Sequence, residues 1–302
     1  MKRLIWIAIP LFVAAGCVKS TGETERSVAL VFEPALHTTV RSDAAAYPDV
    51  RPFGVYVWQL PADRSWREAA SEAVSYLADE RVDYADGVWS TQTALLWPGD
   101  GQRLTAIGYA PYGAATGCNA ASGVRFDGVD VRTVGEELCY TDPQADLSKT
   151  DNGGIVTLPF RSVFAQVDFR VKSLTGEDVP LTVRRIELDE ACYGGSFRSL
   201  PAPEWTLDRE KTEPFLFFEG ECLLRTSSQA VGATLYMLPQ QLLAPVSVTF
   251  EAPAPSGETI TQTISTEPLG TMLEAGRYYT YTLSVGVDRV DFLLQIIEDR
   301  IK

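Results

Sequence analysis

Residues 166–188 read QVDFRVKSLTGEDVPLTVRRIEL, and this stretch decides the fold class. Apolar and polar residues alternate through Val167, Asp168, Phe169, Arg170, Val171 and Lys172, and alternate again from Leu181 to Leu188. A period of two places successive side chains on opposite faces, which is the pattern of a half-buried strand. Between the runs lies Thr175-Gly176-Glu177-Asp178, a turn signal. The same reading predicts strands over Ser27–Leu36, Phe53–Leu60, Arg103–Ala110, Gly154–Phe160, Phe164–Lys172, Leu181–Asp189, Pro214–Glu219, Val231–Leu238, Pro245–Glu251, Thr259–Thr266, Arg277–Val287 and Val290–Arg300. Many short strands punctuated by Gly, Pro, Asn and Asp indicate β-sandwiches. One helix is predicted, Ser65–Ala78, with Ser65 and Glu68 as a capping box and Trp66, Ala69, Ala70, Ala73, Val74 and Leu77 on one face. The Asp-Asn-Gly-Gly run at 151–154 is the best boundary between two domains, 27–153 and 154–302.

The chain begins MKRLIWIAIPLFVAAGCVKS. Lys2 and Arg3 precede an apolar run from Leu4 to Ala15. Twelve residues of helix rise about 18 Å, too short for a hydrocarbon core of about 30 Å. A positive start, a short apolar run and small residues at its end read as a secretory signal over residues 1–17. Ala14, Ala15 and Gly16 stand directly before Cys17, an arrangement similar to a bacterial lipobox, in which the cysteine thiol carries lipid and becomes the first mature residue. Residues 18–26 then read as a polar tether.

The formal net charge is −14, and removal of Lys2 and Arg3 leaves 24 basic against 40 acidic residues. Such a surface repels nucleic acid and anionic lipid, so no nucleic-acid partner is expected. Besides Cys17 there are four cysteines, Cys118, Cys139, Cys192 and Cys222. An exported chain can bridge them, and sequence leaves three pairings open. Pairing Cys118 with Cys139 and Cys192 with Cys222 keeps each bridge inside one expected domain. No CxxC pair or Cys/His cluster suggests a metal, and no cofactor motif is present.

No catalytic constellation emerges. His37 is the single histidine, GxSxG and glycine-rich phosphate loops are absent, and the carboxylates are scattered. Asp127 and Asp130 could contact calcium, but a β-turn accounts for them better. The expectation is a non-enzyme.

Several segments carry a resemblance. WPGDGQRLTAIGYAP (Trp97 to Pro111) is similar to a Trp-Pro, turn, Leu-x-x-x-x-Tyr-x-Pro strand of the fimbrillin-like family, the type V pilins and related surface lipoproteins. ELCYT (Glu137 to Thr141), LPFRSVFAQVDFRV (Leu158 to Val171), LPQ at 238–240 and GRYYTYTL (Gly276 to Leu283) resemble further family segments, in family order. Ser162 and Phe164 depart from the usual histidine and leucine of the third segment. The aromatic residues of these segments, Trp97, Tyr109, Phe160, Phe169, Tyr279 and Tyr281, are expected in sandwich interiors.

The resemblance implies transthyretin-like or immunoglobulin-like Greek-key sandwiches and an outer-membrane, cell-surface protein of a fimbrium. It also implies a lipoprotein precursor cut by an Arg-specific protease that removes the first strand, after which a strand from another pilus subunit fills the groove. Main-chain hydrogen bonds would supply affinity and alternate side chains register. Among Arg26, Arg41 and Arg51, cutting at Arg41 removes the first strand within an alanine-rich stretch, whereas Arg51 is followed by Pro52. The last strand, Val290–Arg300, is apolar on both faces, so it is expected to be covered on both. It would be central within its own subunit, or a donor through Phe292, Leu294 and Ile296. The main alternative is a non-polymerising surface lipoprotein that binds glycans of a host or bacterial surface, with Trp58, Trp66, Trp89 and Trp205 as platforms. A hydrolase on the same scaffold has no residue-level support.

Overall fold

A computed structural model describes residues 28–36, 51–99, 101–176 and 178–297. The first half contains β1 (Val31–Leu36), β2 (Phe53–Pro61), α1 (Trp66–Ala69), β3 (Val74–Ala85), β4 (Val88–Thr91), β5 (Gln102–Ala110), β6 (Gly117–Asn119), β7 (Gly123–Asp130), β8 (Cys139–Thr141), β9 (Gln144–Leu147) and β10 (Ile155–Ser162). The second half contains β11 (Ala165–Ser173), β12 (Thr182–Cys192), β13 (Gly194–Arg198), β14 (Glu204–Leu207), β15 (Thr212–Leu223), β16 (Gln229–Met237), β17 (Gln241–Leu242), β18 (Val246–Pro253), β19 (Thr259–Ser265), β20 (Thr271–Met272), β21 (Tyr278–Val285) and β22 (Val290–Ile297). The all-β sandwich expectation therefore holds, with one short helix in the N-terminal half.

The helix is shorter than its periodicity predicts. It ends at Ala69, a 3₁₀ turn covers Ala70–Glu72, and Val74 already begins β3. Ser65 makes no cap to the backbone; its hydroxyl bonds Glu68 Oε2 at 2.9 Å. The orphan amide of Trp66 instead donates to Asp146 Oδ1 at 2.7 Å, from the loop strand β9. Burial of Trp66 and Ala69 and the pairing of Val74, Ser75 and Leu77 with β2 outweigh the helical period of the segment.

Sheet one runs β1-β10-β8-β5-β2-β3-β4, with β9 also on β5. Every pairing in it is antiparallel except β1 with β10. The sheet curls until the chain ahead of β1 meets the segment leading to β5, through a bridge between Ala29 and Leu96. Inside the curl sit Leu30, Phe32, Phe53, Val55, Val57, Leu104, Ala106, Val156, Leu158 and Phe160. The outer face of β2 and β5 is also buried, with Trp58, Leu60, Ile107 and Tyr109 packed into the core shared with Val124, Phe126 and Phe197.

The stretch 166–188 becomes β11 and β12, which lie in different sheets. One sheet is β16-β11-β21-β22, with β11 and β21 parallel; the other is β15-β12-β18-β19. The turn thus carries the chain across the sandwich. The inward positions are the apolar ones of the alternation. Val167, Phe169, Val171, Tyr281 and Leu283 share one core with Val183, Ile186, Leu188, Val248 and Phe250. Phe169 reaches Phe217 of β15 at 4.3 Å between ring centroids, closing the two sheets on each other.

The two halves are not separated at 153. Strand β10 belongs to sheet one, and a small sheet β14-β13-β7-β6 joins strands from both halves. Phe197 of β13 stacks on Phe126 of β7 at 5.9 Å, and its ring lies 5.0 Å from that of Tyr140 in β8.

Candidate functional site: the first strand and its seat

Residues 28–36, which contain β1, lie at one border of sheet one and are laddered along their length on one side. Val31 to Leu36 run parallel to Ile155 to Phe160, residue for residue. On the other side the contact is brief: Leu30 N–H donates to Leu95 O at 2.9 Å and Trp97 N–H to Val28 O at 2.8 Å. Within this short strand the side chains divide by period. Leu30 and Phe32 are 5% and 2% exposed, whereas Ala29 and Glu33 face solvent. Burying two such side chains stabilises by roughly 3–6 kcal/mol together. They share one apolar core with Phe53, Val55, Trp97, Val156 and Leu158. Removal of 28–36 would open an apolar slot beside the free edge of β10.

The back of that seat is fixed by backbone geometry. Trp97 Nε1–H donates to Gly154 O at 2.9 Å in a buried bond. Gly154 has φ +86°, and a Cβ there would lie 2.9 Å from Val28 Cγ1. Only glycine allows the chain to turn into β10 this close to the strand that β10 holds.

Cys17, Arg26, His37 and Arg41 lie outside the described residues. Arg51 lies within them, and its guanidinium pairs with Glu136 at 3.2 Å at the start of β2. The four other cysteines are free thiols, so neither expected bridge is formed. Cys192 Sγ–H points at the carbonyls of Gly194 and Asp208, 3.3 and 3.2 Å away, and Cys222 accepts from Gln229 Nε2 at 3.1 Å. Cys139 belongs to the core inside the curl of sheet one, whereas Cys118 packs against the other core. Burial pushes both thiols well above the ordinary cysteine range.

The tryptophans expected as glycan platforms are packing groups. Trp58 and Trp66 are buried against each other, 5.6 Å between centroids. Trp89 packs on Phe53, and Trp205 stacks on Phe164 while donating to Val163 O at 2.8 Å. Asp127 and Asp130 fall within or at the end of β7. Asp130 is held by Arg132 at 2.9 Å and Asp127 by the Thr116 hydroxyl at 2.8 Å. Among the described residues no cluster of three or more metal-ligating side chains exists. Nor is any described helix long and apolar enough to cross a membrane.

Strand β22 stands at an edge, not in the centre of a sheet, and only one of its faces is covered. Among the described residues its one strand partner is β21. Val290, Phe292 and Leu294 pack inward, Leu293 is 61% exposed and Ile296 46% exposed. Leu293, on the second face, is thus open to solvent, and Ile296, on the same face as Phe292 and Leu294, is half-exposed near the end of the strand.

The parallel seat of β1 had no local signature in the sequence. Its partner strand and the 95–97 wall come from distant segments, and only the Trp-Pro of the family-like stretch marked part of it.

Comparison with known proteins agrees with this architecture. The model of the fimbrillin-like family matches residues 44–298. The fold is similar to that of a fimbrial protein from Bacteroides vulgatus, with TM-score 0.66 and 14% identity over 88% of this chain and 98% of that one. It is also similar to candidate cell adhesion proteins from Bacteroides uniformis and Bacteroides ovatus, each with TM-score 0.56 and 14% identity. These alignments cover 90% and 92% of this chain, and 98% and 99% of theirs. No curated protein matches this chain in sequence.

Proposed function

Because this chain belongs to the fimbrillin-like family of fimbrial and adhesion proteins, which are not enzymes, we propose that it is a fimbrial subunit that assembles by exchange of its first strand. In this reading the precursor is held at the outer membrane by lipid on Cys17. An Arg-specific protease cuts after Arg41, and an extended strand from another pilus subunit takes the vacated seat. The candidate donor is the last strand, through Phe292, Leu294 and Ile296.

The observation that carries this reading is the seat of residues 28–36. The strand lies at the border of its sheet, is joined onward through the segment that contains Arg41, and buries Leu30 and Phe32. Covalent connection keeps it at very high local concentration. Once cut, it is held by one parallel ladder, two backbone hydrogen bonds to residues 95–97 and two buried side chains, without covalent connection to the rest of the chain, and an incoming strand can compete for its seat. A slot with alternate apolar pockets and an unpaired edge accepts another strand by the same physics. Repetition of such a head-to-tail contact without closure gives a filament.

The test is N-terminal sequencing of the protein from the cell surface beside the intracellular precursor, with Arg41→Ala as control. The expected surface form begins at Ser42, and Arg41→Ala stays monomeric and uncut. Polymers composed of chains that retain residues 28–36 would overturn the proposal.

A further inference from the structure

Among the described residues, one edge of β19 has no strand neighbour. Residues 259–265 read Thr-Ile-Thr-Gln-Thr-Ile-Ser, a sequence that is nearly its own reverse about Gln262. The strand ends the sheet β15-β12-β18-β19, and β18 is its hydrogen-bonded neighbour. That pairing runs unbroken from Ser247 opposite Ser265 to Pro253 opposite Thr259, with no bulge. Exposed edges are normally defended by lysine, proline, a bulge or an inward-pointing charge, because unpaired backbone groups otherwise recruit another strand. None of these devices occurs within Thr259–Ser265.

We propose that this edge is a contact between two copies of the chain, β19 against β19, antiparallel about Gln262, uniting two four-stranded sheets into one. Antiparallel reversal is what makes the palindrome meaningful. It sets Ile260 opposite the partner's Ile264, Thr261 opposite the partner's Thr263 and Thr259 opposite the partner's Ser265. Gln262 then meets its own copy. Apolar pairs and threonine pairs directly opposite each other are favourable in sheets. A glutamine amide carries both donors and acceptors, so two identical amides satisfy one another. Ile260 is 37% exposed in the single chain and would be covered by the partner's Ile264. The outer face carries a hydroxyl ladder to β18, Thr249 to Thr263 at 2.8 Å and Ser247 to Ser265 at 2.9 Å. No charge within the seven residues opposes the approach despite a net charge of −14 for the chain. The contact is isologous and leaves β1 and its seat untouched, so it is independent of strand exchange and would form before any cleavage. A single strand pair is small, which places it in the class of weak, transient contacts, multiplied when many copies share a surface.

The test is sedimentation of the purified full chain in a concentration series up to ~1 mM. A monomer–dimer equilibrium is expected. Gln262→Lys and Gln262→Glu each set like charges opposite one another, and each should weaken the dimer about tenfold or more. An equimolar mixture of the two should restore it as a heterodimer. Thermal unfolding of each variant reports whether the fold is kept, and Thr261→Lys serves as a second variant should Gln262 prove sensitive. A chain that stays monomeric throughout overturns the proposal. So does a dimer indifferent to these charges, or like-charged variants that the mixture fails to rescue.

Discussion

The indole of Trp97 donates its Nε1–H to the carbonyl oxygen of Gly154, 2.9 Å away and buried, and so ties the wall of the first strand's seat to its floor. Both residues touch residue 28. The backbone amide of Trp97 bonds Val28 O, and the open face of Gly154 lies against Val28 Cγ1. The start of β10 and the start of β1 are therefore set by the same pair.

Two substitutions separate the bond from the space. Trp97→Phe keeps most of the apolar bulk but leaves a buried carbonyl without its donor, which costs about 1–3 kcal/mol. Urea unfolding should show a lower midpoint with an unchanged slope. Gly154→Ala introduces a Cβ at φ +86° and 2.9 Å from Val28. Its expected effect is local: amide exchange accelerates over residues 31–36 more than in β11 or β12. Uniform acceleration along the chain would show that the seat is not a separate unit.

Cys17 is expected to be the lipid attachment point. Cys17→Ala should abolish labelling with fatty acid and shift the protein out of the membrane fraction. Persistent labelling in the alanine variant would refute the lipobox reading.

The thiols offer an independent check on the interior. Native protein at neutral pH should alkylate slowly at Cys118 and Cys139, because burial raises both thiols and leaves little thiolate. After unfolding without reductant, Cys118, Cys139, Cys192 and Cys222 should all titrate as free thiols. Mapped bridges between any two of them would contradict the structure.

Asp130 ties acid sensitivity to the small sheet shared by both halves. The Arg132 guanidinium and backbone amide bond its carboxylate and hold it below the ordinary carboxylate range. Because the folded value is depressed, its contribution is present above the unfolded value of about 3.9 and is lost as pH falls through the folded value. The carboxylate is a quarter exposed, so the effect is under about 1 kcal/mol. Asp130→Asn should lower the melting temperature slightly at pH 7 and not at all in strong acid, as read by calorimetry at both conditions.

What the sequence disclosed follows from what determines each element. The strands with clean alternation, such as β11, β18 and β21, were legible because burial of one face imposes a period of two. Strand β3 was not, because Ala69, Ala70, Ala73 and Leu77 also satisfy a helical period, and tertiary pairing with β2 decides between them. The helix cap was hidden because Asp146, far along the chain, replaces Ser65. The sharing of β7 and β13 in one sheet, and of β10 with the first half, depends on contacts between distant segments that carry no local signal. For β22 the composition misled: apolar residues on both faces predict a central strand, yet Leu293 and Ile296 face solvent.

That exposure allows the last strand's two roles to be tested apart. Phe292 and Leu294 pack on the core of their own subunit, Phe292 lying 6.1 Å from Tyr281. Truncation after Asp288 removes both together with Val290 and bares the edge of β21, so the shortened chain should lose a few kcal/mol of stability. Failure to fold would then speak only to packing. Ile296 distinguishes the cases, since 46% of it is exposed within the subunit. Ile296→Asp should leave the melting temperature of the uncut monomer within the range of ordinary surface substitutions, about 0.5 kcal/mol. As a donor, the same side chain would enter an apolar slot, where an aspartate is costly. The expected outcome is a normally folded, normally exported variant that is processed but fails to polymerise. Normal polymers from Ile296→Asp would exclude this position from the donor contact, and normal polymers from a folded chain truncated after Asp288 would exclude the strand altogether.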